Sequence, residues 1–453
     1  MKNVDATFSV ANYRHIWDEH VRRGRPLAAR MPEVVSLAAE MQRIRNEHKT
    51  LLGATSPDDR PAVRAKHQRE MDQLVVRRRD VLSTKLEGFA LDAALRIRDR
   101  RFSLGLMALP PIDQKVVYRL QDLDTLSSYF LVKQLERNIR DAFDVTMPDR
   151  HRMVSQIVSL LRNKAPKTVL RLDIASCYES ISHSALRDML RDQPRLGQTT
   201  QHFLEQFIED YAALTGSVSG LPRGVGISSF LAEAFLKTID NEIRLIPGVT
   251  FYARYVDDIV ILVTDVNHDA VAVQVRAALS DALRKKGLSR NRRKERILSS
   301  SDSIERRVTL LGYEVTTCLP TGSAELDISK TRYADYIARL DSAFARYEVA
   351  PGPGAATALE KRVQLLTSNQ RLWRPGGFNS NGIRFSHRAM REPGVRIAKL
   401  DERLRYLTRT KCSDPELRER LSRHGFMDGF TSTRFMRVNL RRREQITSIW
   451  RGQ

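Results

Sequence analysis

The sequence predicts an α+β protein, and three observations carry that reading. Apolar residues recur at helical spacing through the first 110 or so positions, as in Met71, Leu74 and Val75 beside Arg77, Arg78 and Arg79. Short runs rich in aromatic and β-branched residues follow at Val169–Ile174, Phe251–Tyr255 and Ile259–Val263, each of strand length. After residue 315 the pattern becomes mostly helical again.

Taken in order, residues 1–110 read as a helical N-terminal extension. Its basic runs, Arg77–Arg79 and then Arg96, Arg98, Arg100 and Arg101, suit either a solvated helix face or a nucleic-acid surface. Pro110-Pro111 is expected to close the region, because consecutive prolines break helices. Residues 111–325 form a mixed unit. Within it Leu126–Phe143 predicts a long helix, Val169–Ile174 a strand that delivers Asp173 at its end, and Ser228–Leu236 a further helix. Tyr255-Val256-Asp257-Asp258 then sits at the tip of a hairpin between two strands. Residues 326–453 read as helical, interrupted by loops at Ala350–Gly354 and Arg374–Gly382. Asp414, Pro415 and Gly425 frame one compact helix by its caps.

Composition narrows the partners. A formal charge of +22, from 76 basic and 54 acidic residues among 453, points to a polyanion. A membrane surface is one such partner, but no segment approaches a membrane-spanning apolar run and the opening residues hold no signal-peptide core. A cytoplasmic, nucleic-acid-binding protein with no membrane attachment is therefore expected. Cys177, Cys318 and Cys412 lack metal-ligand spacing, so neither a zinc module nor a disulfide framework is expected.

The hairpin acids carry the chemistry. Burying Asp257 and Asp258 beside apolar strands is costly unless a cation shares their charge. Asp173 supplies a third carboxylate from a second strand. Three such acids can hold two metal ions roughly 3.5–4 Å apart, the arrangement that activates a 3′-hydroxyl and stabilises departing pyrophosphate. Carboxylate and triphosphate oxygens are hard ligands, which favours Mg²⁺, two ions in all. The residues alone leave blander readings open: a solvated turn for Asp257-Asp258, and a helix cap after a strand for Asp173.

Five stretches in order resemble the motifs of reverse transcriptases. Asp173-Ile174-Ala175-Ser176-Cys177-Tyr178 resembles motif A, Leu221-Pro222-Arg223-Gly224-Val225-Gly226-Ile227-Ser228-Ser229 motif B, and Tyr255-Val256-Asp257-Asp258 motif C. Gly287–Lys294 is similar to motif D, and Thr309–Tyr313 to the short strand of motif E. The resemblance implies a right-hand polymerase of fingers, palm and thumb, with residues 1–110 as extension, 111–325 as fingers and palm, and 326–453 as thumb and C-terminal extension. It implies that Asp173, Asp257 and Asp258, with Ile174 beside Asp173, hold the metal, and that Lys294 donates a proton to pyrophosphate. Tyr178 then excludes a 2′-hydroxyl, while Arg223, Gly224, Lys115 and Arg119 serve the nucleotide. Motif B departs from the common Pro-Gln-Gly by placing Arg223 where a neutral amide is usual.

The expected activity is RNA-directed DNA synthesis from dNTPs, with an RNA template, which a dedicated non-coding RNA could supply, and a DNA product. A relic nucleic-acid-binding scaffold and an RNA-dependent RNA polymerase are the alternatives. Without an integrase, RNase H or intron-type endonuclease pattern, the chain resembles the bacterial defence-associated, abortive-infection-related group. Phe8–Trp17, Ser368–Leu372 and Asn381–Ser386 are similar to the first polymerase of the type 3 two-polymerase system. That similarity implies antiphage defence and either a partner polymerase or a homo-oligomer. The thumb arginines Arg434, Arg437, Arg441, Arg442 and Arg443 are expected to track a phosphate backbone.

Overall fold

The computed structural model describes residues 6–22, 27, 30–99, 103–112, 115–121, 125–374, 377–432, 435–437 and 440–450. Arg100, Arg101 and Arg434 lie outside the described residues, and the side chains of Arg437 and Arg441 are likewise not described.

The chain opens with three helices, α1 (Val10–Arg22), α2 (Pro32–Ala54) and α3 (Arg60–Arg98). A hairpin follows, β1 (Leu106–Ile112) and β2 (Lys115–Leu120), then α4 (Leu126–Phe143), α5 (Arg150–Leu161), β3 (Thr168–Asp173) and the single turn α6 (Cys177–Ser180). Next come α7 (His183–Arg191), α8 (Gln198–Thr215) and α9 (Gly226–Arg244), then the hairpin β4 (Val249–Tyr255) and β5 (Asp258–Val263). After α10 (His268–Lys285) stand β6 (Arg296–Ser299), β7 (Arg306–Leu310), β8 (Tyr313–Cys318) and β9 (Ser323–Ile328). The remainder is α11 (Lys330–Val349), α12 (Pro353–Thr367), β10 (Asn369–Arg374), β11 (Gly377–Gly382), α13 (Ile383–Ser386), α14 (Val395–Lys411), α15 (Pro415–Ser422), α16 (Phe426–Thr431), β12 (Phe435–Arg437) and α17 (Leu440–Thr447).

Helix boundaries follow their caps. The Thr125 side chain accepts from the Ser128 amide to start α4, which ends on Asp144 in the left-handed conformation. Asp414 accepts from the Glu416 amide at 2.9 Å and Pro415 opens α15, as read from the sequence, but α15 ends at Ser422 with Arg423 as its C-cap, and Gly425 is instead the N-cap of α16. Two further expectations change. Pro110 and Pro111 lie inside β1 rather than between helix and strand, at the point where pairing with β2 slips between Leu109 and Ile112. A proline has no amide to donate, so it is tolerated where the ladder is already irregular. Arg374–Gly382 contributes to β10 and β11 rather than forming a loop, with 375 and 376 outside the described residues.

The chain divides into two compact units. One comprises Met1–Thr146, Ile181–Phe235 and Arg374–Gly377. Its core is aromatic: Tyr13 stands 5.4 Å from Phe130 and Phe8 stands 5.8 Å from Phe203, ring centre to ring centre. Asn138, buried there, receives a bond from Gln134 at 2.7 Å and donates one to Thr200 at 2.8 Å.

The other unit comprises Met147–Ser180, Leu236–Trp373 and Phe378–Gln453. Its centre is a four-stranded sheet in the order β4-β5-β3-β6, antiparallel throughout. Ile259–Val263 of β5 are all buried, which explains the unbroken apolar run: both faces of the central strand are covered. A second sheet, β7-β8-β9, shares a core with α5, α11, α12, α14, α15 and α16, built on Phe344, Leu340, Leu359, Leu400, Phe426 and Phe430. The motif E stretch is not one strand but the turn between β7 and β8, with Leu311 and Gly312 both at positive φ.

Candidate active site

Asp173 ends β3, and Asp258 begins β5. Antiparallel pairing sets the two directly opposite each other, and Tyr255 lies opposite Asp258 on the other side. The turn between β4 and β5 is made by Val256 and Asp257, and the Ile174 amide donates to the Asp257 carbonyl at 3.0 Å. The three acids proposed from sequence are thus gathered at one end of one sheet. Val256 adopts φ +59° and Ser176 φ +43°, so left-handed non-glycine residues stand within three positions of every acid.

Motif D closes this end. Ile174 bridges Arg290, the Ala175 amide donates to the Ser289 carbonyl at 2.9 Å, and the Asn291 amide donates to the Asp173 carbonyl at 2.8 Å. These bonds carry Lys294 to the acids, where its Nζ donates to Asp173 Oδ2 at 2.9 Å. The Asp173 side chain is 3% exposed and that of Lys294 53%, so a buried carboxylate is met by a cation that reaches in from solvent. Arg290, within the motif D stretch, is paired with Glu295.

Sequence reading left Arg171 without a role. In the structure its Nη2 donates to Asp258 Oδ1 at 2.5 Å and its Nη1 to the Lys294 carbonyl at 2.8 Å. The signal was available: a cation inside an otherwise apolar strand, two residues before Asp173 and hence on the same face, predicts a partner. Burial pushes the Asp258 carboxyl above the usual range; Arg171 opposes this, and Asp257 and Asp173 add to it.

Among the described residues no group of three or more His, Cys, Asp or Glu side chains is placed to hold a metal ion. Asp173 and Asp258 are instead engaged by Lys294 and Arg171. By chemistry alone the three carboxylates of this sheet end are hard oxygen donors of the kind a divalent ion takes. Tyr178 lies on α6 of the same unit, half-buried, five residues past Asp173.

Arg223, Gly224, Lys115 and Arg119 belong to the other unit, where β2 brings them together. The Tyr118 amide donates to the Arg223 carbonyl at 2.7 Å. Gly224 has φ +91°, and a Cβ there would stand 2.7 Å from Val117 Cγ1 and 2.9 Å from the Tyr118 carbonyl. Strand alternation sets Lys115, Val117 and Arg119 on one face, so Gly224 rests against the face that carries the two cations. The glycine therefore permits close approach to the chain's own β2 strand, a requirement the sequence did not reveal.

One sheet end thus gathers a strand-terminal acid and two hairpin acids, with a lysine brought to them by a following segment. Residues 115–315 match the family described as reverse transcriptase (RNA-dependent DNA polymerase), so that stretch is a reverse transcriptase domain. No curated protein matches the chain in sequence. Similar solved structures include the apo telomerase of Candida tropicalis truncated from its C-terminal domain, at 14% identity and TM-score 0.37 over 50% of this chain and 55% of that one. The apo telomerase of Candida tropicalis is similar at 11% identity and TM-score 0.38, over 57% and 50%. The telomerase of Candida albicans in complex with a TWJ fragment of telomeric RNA is similar at 12% identity and TM-score 0.35, over 78% and 65%. This chain spans about half the length of the first two. No helix among the described residues is long and apolar enough to cross a membrane.

Proposed function

We propose that the chain is an RNA-directed DNA polymerase that extends a 3′-hydroxyl with dNTPs. The observation that carries this reading is the placement of Asp173, Asp257 and Asp258 at one end of the β4-β5-β3-β6 sheet, inside a reverse transcriptase domain. Asp173 and Asp257 would hold two Mg²⁺ ions, with Asp258 and the backbone of Ile174 completing the site. The metal, when bound, supplies charge stabilisation for the attacking and leaving oxygens. Asp173 and Asp257 orient the reacting groups, and Lys294, already at the site on an exposed stem, donates a proton to the departing pyrophosphate. The Tyr178 ring stands against the sugar and excludes a 2′-hydroxyl. Lys115, Arg119 and Arg223 bind triphosphate or template phosphates, with Gly224 fixing their loop on β2.

In this reading residues 111–325 are fingers and palm of a right hand, 326–453 are thumb and C-terminal extension, and 1–110 is the appended helical region. The formal charge of +22 supports an RNA template and a DNA product as partners. The motif resemblances support a role in bacterial antiphage defence in the cytoplasm, alongside a partner polymerase or as a homo-oligomer. The test is incorporation of labelled dNTPs or NTPs by the purified chain on a primed RNA template with Mg²⁺. Deoxynucleotides are expected to be incorporated, and Asp257→Asn is expected to lower the rate by about a hundredfold or more, the scale on which removal of a charge-stabilising group acts. Incorporation of NTPs alone would turn the reading to an RNA polymerase, and no incorporation of either to a binding scaffold.

A further inference from the structure

The turn that presents Asp257 and Asp258 depends on Val256, a β-branched residue at φ +59°. Left-handed backbone is unfavourable for such a side chain, and it persists only where its surroundings impose it. One group does so directly: Arg254 Nη1 donates to the Val256 carbonyl at 3.0 Å. The rest of that guanidinium is fixed from behind. Its Nε donates to Asp240 Oδ1 and its Nη2 to Asp240 Oδ2, both at 2.8 Å, a two-point fork. Asp240 lies on α9 and also accepts from the Tyr252 hydroxyl at 2.6 Å. Tyr252 and Arg254 are alternate residues of β4, so one face of that strand serves Asp240 twice.

The side chain of Arg254 is 3% exposed and that of Asp240 10%. A buried ion pair is poor value for stability, because well-packed apolar residues of similar volume often serve as well or better. What apolar residues cannot supply is a donor aimed at one carbonyl. We propose that Asp240 and Arg254 are positioning residues, with Tyr252 as their support, that hold the left-handed turn at Val256 and so set Asp257 and Asp258 to receive a divalent ion. The inference deepens the polymerase reading and rests on it.

The experiment measures Mn²⁺ binding to the full chain by electron paramagnetic resonance, beside melting temperature and, separately, kcat and KM for dNTP incorporation. Arg254→Lys keeps the charge and loses the fork. It is expected to weaken Mn²⁺ binding on the order of tenfold, the scale seen when the groups that orient metal ligands are removed. kcat falls in step and the KM for dNTP stays within about twofold, since that constant reports uniform binding of the nucleotide. Asp240→Asn is expected to act in the same direction. Should either fail to fold, Tyr252→Phe retains both charges of the pair and is expected to weaken Mn²⁺ binding by a smaller, measurable factor. Variants that melt lower but keep wild-type Mn²⁺ affinity and kcat would overturn the proposal and leave the pair an ordinary buried ion pair. A wild-type chain that binds Mn²⁺ but incorporates no nucleotide would sink the polymerase reading alone, because the binding comparison still reads the turn.

Discussion

At the residue scale the site is a problem in charge. Three acids lie at one sheet end, and two cations from the same unit attend to them, Arg171 on Asp258 and Lys294 on Asp173. The two differ in kind. Arg171 is planar, largely buried and bound at two points, to Asp258 and to the Lys294 backbone, so it fixes geometry. Lys294 is a point charge on a flexible stem, half exposed, and suits a group that must move toward a leaving phosphate. Tyr178 carries the sharpest single-residue prediction. Replacing it with Ala should raise ribonucleotide use relative to deoxynucleotide on the same template, measured as the ratio of kcat/KM values. Its cause is steric, so the gain is expected mainly for NTPs while dNTP incorporation persists. If the ratio does not move, another side chain excludes the 2′-hydroxyl.

Elements turn these residues into a site by register and by turns. A one-residue slip of β5 against β3 would take Asp258 off Asp173, so the β3–β5 register specifies the site as well as the sheet. The β2 strand acts similarly in the other unit, because it seats Gly224. Gly224→Ala adds a Cβ at 2.7 Å from Val117 Cγ1, at a φ of +91° that alanine resists. The expected cost is about 1–3 kcal/mol, from a strained backbone and a close contact together. Thermal unfolding should record a drop of several degrees, and Gly216→Ala, which has positive φ but open space around it, should fall less. Equal losses would show that backbone strain alone sets the cost.

At the scale of the whole molecule, acid stability depends on a group that takes no part in the proposed chemistry. His387 is 3% exposed, ring to ring with Tyr313 and Tyr336, and its Nε2 has no hydrogen-bond partner among the described residues. Burial first, then Arg332, Arg150 and His151, push its pKa down to about 3. The folded protein therefore keeps this ring neutral where the unfolded chain, with a histidine near 6.5, has taken a proton. The unfolded state binds the extra proton throughout that interval, so His387 contributes stability above about pH 6.5 that is lost progressively toward pH 3. His387→Gln should flatten the fall in melting temperature across this window, and an unchanged slope would assign acid lability to other groups. What the sequence itself determined is the covalent order of chemistry: an acid ending an apolar strand, two acids on a hairpin, a basic stretch beyond, and helices on either side. Those features are local, set by periodicities of two and 3.6 residues, and the strand ends at Asp173 and Tyr255 and the helix Leu126–Phe143 were legible from them. Tertiary structure alone decided the pairings. Arg171 with Asp258, Lys294 with Asp173, Arg254 with Asp240 and Gly224 against β2 join residues from about 14 to more than 100 positions apart. No local pattern encodes which distant partner a buried charge will meet; the meeting is fixed only when strands pair and the burial of each charge makes an unpaired one too costly to keep.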